Sequence, residues 1–344
     1  MSIPLPPAPP EPARRPSAAS RLALIAATLL GIGLAVWLVR SIGWASVAEA
    51  ARQMGLGGFL ILCLYSLGLF ALLGAAWGVA SGEPVERVPL FTAARIAREA
   101  ASDFLPVSQL GGLAVGAHVA IAGGVARARV YASMIVDQAT EMASQLVFTL
   151  AGIALAGPLL LGGGGAALHG AIAGSAAVAL AMLLAILFGQ RRFLRLATAL
   201  AARMLPAASA ALAEIEVELA RLYASRGRVA LSFLFNLAAW LATAGASWLI
   251  LRLIGHPLAF WRMVSIESVI AIMRSAAFLV PGAIGLQEAA YVVVGPVLGL
   301  AAGPALAVSL ARRARDGVLA LVGLAGWSVV MARSRKKSRR MAPL

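Results

Sequence analysis

Residues 274–291 read RSAAFLVPGAIGLQEAAY, and the fold turns on how this stretch is read. An apolar segment carrying Arg274 is broken by Pro281, Gly282 and Gly285, then resumes with Glu288. Proline offers no amide donor and clashes with the carbonyl four residues earlier, so a helix ends or kinks near Val280. In a bilayer the freed backbone groups survive only where protein or a wet cavity surrounds them. A charge at that depth carries a further cost and marks a candidate functional site.

Composition makes the bilayer the relevant solvent. The 344 residues are 61% hydrophobic and 12% charged, with a mean hydropathy of +0.90. A span takes about 20 apolar residues, so this length accommodates roughly six to eight of them. The single Cys63 excludes an intramolecular disulfide and a cysteine-based zinc site, and the scattered His118, His169 and His256 form no ligand pattern. No metal or cofactor is expected. The net charge of +15 reads as topology, because the basic run RSRKKSRR at 333–340 directly follows an apolar span and positive loops stay cytoplasmic. Such a cluster also attracts anionic lipid, at about 1 kcal/mol per basic residue. Nucleic acid is not an expected partner.

The expected class is an all-α polytopic membrane protein. Residues 1–20 are a Pro-rich tail expected to be disordered. Six full spans are expected at 22–39, 56–80, 130–156, 166–188, 229–254 and 304–331; the first is too long and wrongly flanked for a cleavable signal. Two regions, 90–124 and 261–300, resist this reading. Each suits two half-length helices that meet at a proline, Pro106 or Pro281, and return to the side they entered. Between 190 and 227, Leu212, Ile215, Leu219 and Leu222 recur at helical spacing, which predicts an amphipathic helix on the cytoplasmic surface. Pro206 separates it from an earlier short helix, and 332–344 form a basic cytoplasmic tail.

The two broken regions share a layout. Each carries an arginine seven or eight residues before its proline (Arg98, Arg274) and a glycine four or five after it (Gly111, Gly285). Asp137 follows Pro106 at the interval by which Arg312 follows Pro281, and Glu141 and Asp316 share a second offset. With both termini cytoplasmic, one pair opens to the cytoplasm and the other outward, the pattern of an inverted repeat with a midplane site.

In a re-entrant pair the second half-helix begins at the tip, where unpaired amides and the positive dipole end make an anion seat. Two such ends, approached by Arg98 and Arg274, suit an anionic head group. Glu99, Asp103, Asp137, Glu141, Glu288 and Asp316 then balance arginines or carry protons. The competing reading of each ionisable residue is a buried pair that fixes helix register. No nucleophile elbow, P-loop, metal-binding His pair or dinucleotide fingerprint is present.

The stretch VPGAIGLQEAAY with Arg274, and FLPVSQLGG with Arg98 and Glu99, resemble the two re-entrant motifs of the membrane region of lysyl-phosphatidylglycerol synthases. Among stand-alone relatives the chain is similar to the hopanoid-biosynthesis-associated HpnL membrane proteins. The resemblance runs from about residue 20 to 331 and implies lipid translocation, with Arg98, Glu99, Pro106, Arg274, Pro281, Gly285 and Glu288 at matching motif positions. Larger members carry a soluble aminoacyl-transferase domain after this region. The chain stops soon after its last span, so no enzyme activity is expected. The sequence-based expectation is a flippase of the bacterial inner membrane acting on a hopanoid or an anionic phospholipid, with room for a homodimer. The alternatives are an accessory protein of hopanoid biosynthesis and a membrane-embedded transferase using Asp137 and Glu141.

Overall fold

The computed structural model describes residues 40, 44–104, 108–160, 206–276 and 285–341. The expected spans 22–39 and 166–188, and the prolines Pro106 and Pro281, lie outside them. Among the described residues there is no strand. The helices are α1 (Trp44–Ser81), α2 (Val88–Phe104), α3 (Ser108–Ala122), α4 (Arg127–Leu160), α5 (Pro206–Ala224), α6 (Arg226–Leu253), α7 (Phe260–Ala276), α8 (Leu286–Val297) and α9 (Ala302–Met341).

Among the described residues three segments are long and apolar enough to cross a membrane: Ala48–Ser81, Arg127–Gly157 and Arg226–Leu253. Their polarity is arranged for lipid. Leu56, Leu60, Ile61, Leu64 and Leu67 on α1 are exposed, while Ser66 is buried. Gly55, at φ 59°, breaks α1 just before its apolar run begins. Helix α9 is 40 residues long, but Arg312, Arg313, Arg315 and Asp316 interrupt its apolar sequence. Arg312 and Arg315 turn inward and are buried, as they must be where hydrocarbon cannot solvate them.

Helices α1 and α6 form the spine and run antiparallel. Gly58 lies against Leu253, the Tyr65 hydroxyl donates to the Ala242 carbonyl at 3.0 Å, and Gly82 lies beside Arg228. The remaining helices flank this spine in a crossed pattern: α2 packs on α9, and α7 packs on α4. The first contact is seen where Gly323 meets Ile96, the second where the Ser268 hydroxyl donates to the Phe148 carbonyl at 3.1 Å.

The same turn chemistry recurs in both halves. After α1 the chain turns at Gly82-Glu83-Pro84, and after α6 at Gly255-His256-Pro257, the glycines taking φ 71° and 72°. Each turn leads toward a 17-residue helix, α2 or α7. The short helices α3 and α8 then end alike: the Val125 amide donates to the Ala120 carbonyl at 3.2 Å and the Leu300 amide to the Gly295 carbonyl at 2.9 Å. Gly124 (φ 88°) and Gly299 (φ 85°) supply the left-handed residue such closures need, which costs glycine no Cβ clash.

The first hairpin, α2–α3, is packed on small residues, with Ala94, Ala97, Ala101, Ala117 and Ala120 in one cluster with Trp77 and Phe91. Helices approach closely where glycine removes the side chain. A Cβ on Gly74 would sit 2.6 Å from the Thr92 Cα, and one on Gly112 would sit 2.5 Å from the Arg98 carbonyl oxygen. Helix α5 carries the expected apolar stripe, with Leu219 and Leu222 buried against Ala80, Ala132 and Val136. That contact docks α5 on α1 and α4, and Arg129 adds ion pairs to Glu83 at 2.8 Å and Glu218 at 3.8 Å.

Candidate functional site

Among the described residues, polar side chains gather inside the bundle in three groups. The first joins α2, α4 and α6. Arg95 and Arg98 sit one turn apart on α2 and reach α4, where Asp137 and Glu141 are also one turn apart and share a face. Arg95 bonds Asp137 Oδ2 at 3.0 Å and Glu141 Oε1 at 2.7 Å. Arg98 bonds Gln138 Oε1 at 2.8 Å and Glu141 Oε2 at 3.4 Å, and its Nη1 lies 3.6 Å from Asp137 Oδ2. Glu99 approaches Arg95 at 3.7 Å and Arg98 at 4.0 Å. From α6, Asn236 Nδ2 donates to Thr140 Oγ1 at 3.1 Å and to Asp137 Oδ1 at 3.4 Å. The side chain of Asp137 is 1% exposed, that of Glu141 18% and that of Glu99 33%, so the group grades from dry to wet.

The second group joins α6, α7, α8 and α9. Arg312 Nη1 bonds both oxygens of Glu267 at 2.7 Å, the Tyr291 hydroxyl at 2.6 Å and Ser247 Oγ at 3.2 Å. Ser247 and Tyr291 each donate to Glu267 Oε1. Glu267 and Arg312 side chains are both 4% exposed. One cation faces one anion, and two hydroxyls add donors to Glu267 Oε1, while Arg312 Nε has no hydrogen-bond partner among the described residues.

The third group lies at the start of α8. Glu288 accepts the Gly285 amide at 2.7 Å and the Arg313 guanidinium at 2.7 Å, while Ser309 stands 3.5 Å away. A buried carboxylate in the first helical turn is where the dipole favours it. Part of the anion seat expected at this half-helix end is therefore filled from within the chain. On the neighbouring turn of α9, Asp316 pairs with Arg315, which also reaches Ser66 at 3.2 Å.

The residues singled out from sequence thus divide. Arg98, Glu99, Asp137 and Glu141 meet in the first group, Arg312 enters the second, and Gly285 and Glu288 enter the third, with Asp316 on the adjacent turn. Arg274, in the last turn of α7, is exposed and has no ion pair among the described residues. Pro106 and Pro281 fall outside the description. The structure adds Glu267 and Tyr291, which no motif or spacing singles out. A lone glutamate in FWRMVSIESVIAIM was the available signal for Glu267, since an unpaired carboxylate in an apolar helix demands a partner. Among the described residues no group of His, Cys, Asp and Glu could hold a metal ion.

Long apolar helices with inward-facing ion pairs define an α-helical integral membrane protein. The chain matches the model of the lysylphosphatidylglycerol synthase TM region over residues 24–323 and belongs to that family. Neither a curated protein nor a solved structure matches it.

Proposed function

We propose that the two halves form an inverted repeat and that the protein moves a lipid head group between the leaflets of the bacterial inner membrane. The observation that carries this reading is the antiparallel pairing of α1 with α6, each followed by the same Gly-x-Pro turn, a 17-residue helix, a second short helix and the same glycine closure. Halves related in this way carry their broken hairpins in from opposite faces, which is the architecture of alternating access. Support also comes from the two buried ion pairs. Arg95–Asp137 joins α2 to α4, and Glu267–Arg312 joins α7 to α9, the corresponding helices with the signs exchanged.

The chain is multi-pass with both termini cytoplasmic on this reading, and it carries out no transferase chemistry. The substrate is an anionic phospholipid or a hopanoid of the kind handled near the HpnL proteins. An anionic head group has Arg274 to meet, which is exposed and has no ion pair among the described residues. A hopanoid polyol would instead bond half-helix amides and the hydroxyls around Glu267. Purified protein in liposomes, with labelled phosphatidylglycerol or labelled hopanoid in one leaflet, tests the reading. Movement well above that of empty vesicles is expected, and equal rates would sink it.

A second reading, a non-transporting accessory of hopanoid enzymes, draws on one observation. Helix α5 is docked on the bundle by apolar contacts and ion pairs, and α9 continues as a helix through the basic run to Met341. Deleting residues 333–344 abolishes function on that reading and only weakens it on the first.

A further inference from the structure

We infer that the first buried group is a proton-binding site, with Asp137 as the residue that takes the proton. Resting on the transport reading, we assign this proton as the ion whose flow is linked to lipid movement.

Charge comes first. Arg95 and Arg98 are surrounded by three carboxylates, Glu99, Asp137 and Glu141, all within 4.0 Å of one or both. Counting the one-third-exposed Glu99, the group holds one more negative than positive charge, and its inner end solvates charge poorly. An uncompensated buried charge is costly, and a proton on one carboxylate relieves it without any new partner. No such excess exists in the second group, where Glu267 and Arg312 balance.

Geometry selects the residue. Glu141 spans both guanidiniums, at 2.7 and 3.4 Å, and Glu99 keeps a third of its side chain exposed. Asp137 is the driest, and only its Oδ2 is held by arginine, at 3.0 Å. Its Oδ1 meets the Asn236 amide at a long 3.4 Å. Asn236 is itself fully buried, and its Oδ1 has no hydrogen-bond partner. A buried carbonyl left without a donor is an exception that needs a cause.

A proton on Asp137 Oδ1 supplies one. Turning the Asn236 amide by half a rotation exchanges two atoms of similar size, and its oxygen then accepts from the Asp137 O–H. With Asp137 ionised, the nitrogen faces the carboxylate instead. The Asp137–Asn236 contact therefore keeps a hydrogen bond in either protonation state, the amide turned one way or the other, with its far end left without a partner.

Surrounding groups do not compete for this role. Helix α6 presents Asn236 and Ser232 to this group, and the hydroxyl of Ser232 lies 2.9 Å from that of Thr140. Trp77 of α1 bonds Ser133, one turn from Asp137. On α5, Glu218 is engaged by Arg129 near the start of α4. Glu267 of α7 and Arg315 of α9 have their own partners. Protons reach Asp137 by way of Glu141, one turn away, and the wetter Glu99.

The test uses the full chain in two ways. In detergent, infrared spectra across pH are expected to show a protonated carboxylic acid carbonyl band that titrates and is lost in Asp137→Asn but kept in Glu99→Gln. In liposomes carrying labelled phosphatidylglycerol, an imposed pH gradient is expected to shift the steady-state leaflet ratio by up to about tenfold per unit, the ratio set by one coupled proton. Asp137→Asn, nearly isosteric with the protonated acid, is expected to abolish that shift. A spectrum with no titrating acid band, or a band unchanged in Asp137→Asn, overturns the site. Lipid movement indifferent to the gradient overturns the coupling. A titrating band in a protein that moves no lipid leaves the proton site standing and sinks the transport reading instead.

Discussion

In the first half of the protein two arginines face three carboxylates; in the second, one arginine faces one glutamate, flanked by a tyrosine and a serine. Both groups bridge the first arm of a hairpin to the long helix after it. Corresponding helices accept either sign in either place, so the packing demands an ion pair between helices and not a particular charge at either end. How each link is filled separates them. The second is dry and balanced, which suits a rigid joint, while the first is graded in exposure and carries an excess charge.

The comparison breaks most visibly at Arg312. Its replacement by alanine strands Glu267 in a dry site, and loss of a buried partner costs about 3–5 kcal/mol. A large fall in the thermal unfolding temperature in detergent is expected, with the double variant Glu267→Gln/Arg312→Met recovering much of it, because no charge is then left unpaired. Strict additivity of the two single changes would show that the groups do not act as a pair.

The equivalent change in the first group is milder. With Arg95→Ala, Arg98 remains near both Asp137 and Glu141 and a proton on Asp137 offsets the lost positive charge, so a loss of about 2 kcal/mol is expected, near that of a charged hydrogen bond. A loss equal to that of Arg312→Ala would contradict the view that the first group is redundant. Between the two in character lies Gly74→Ala, which sets a methyl against the Thr92 backbone and should cost about 1–3 kcal/mol by overpacking. The smallest effect is expected at the rim, where Arg129→Ala removes a partly exposed pair with Glu83. That pair should contribute under about 1 kcal/mol, less at high salt, as unfolding at two ionic strengths would show.

Much of this was legible in the chain itself. Apolar run length placed the helices over 56–80, 130–156 and 229–254, and the stripe of Leu212, Ile215, Leu219 and Leu222 located α5. The i, i+4 spacing of Asp137 and Glu141 put both on the face that α2 covers. Partners across helices were less legible, because sequence spacing says nothing about which helices cross. Spacing alone sets Arg98 before a hairpin tip, whereas in the structure it bonds Gln138 and Glu141 of α4. Glu267 went unremarked because its partner lies 45 residues away on a different helix. Glu288 was read as a site charge, yet it also caps its own helix, a role visible in its position three residues after Gly285.

The central claim is that the two hairpins open to opposite sides of the membrane. His256 and Arg127 are both exposed and mark the two ends. In a background where Cys63 is replaced by serine, single cysteines at 256 and 127 should react with a membrane-impermeant maleimide from opposite sides of sealed vesicles, position 127 from the cytoplasmic side. Labelling of both from the same side would contradict the account.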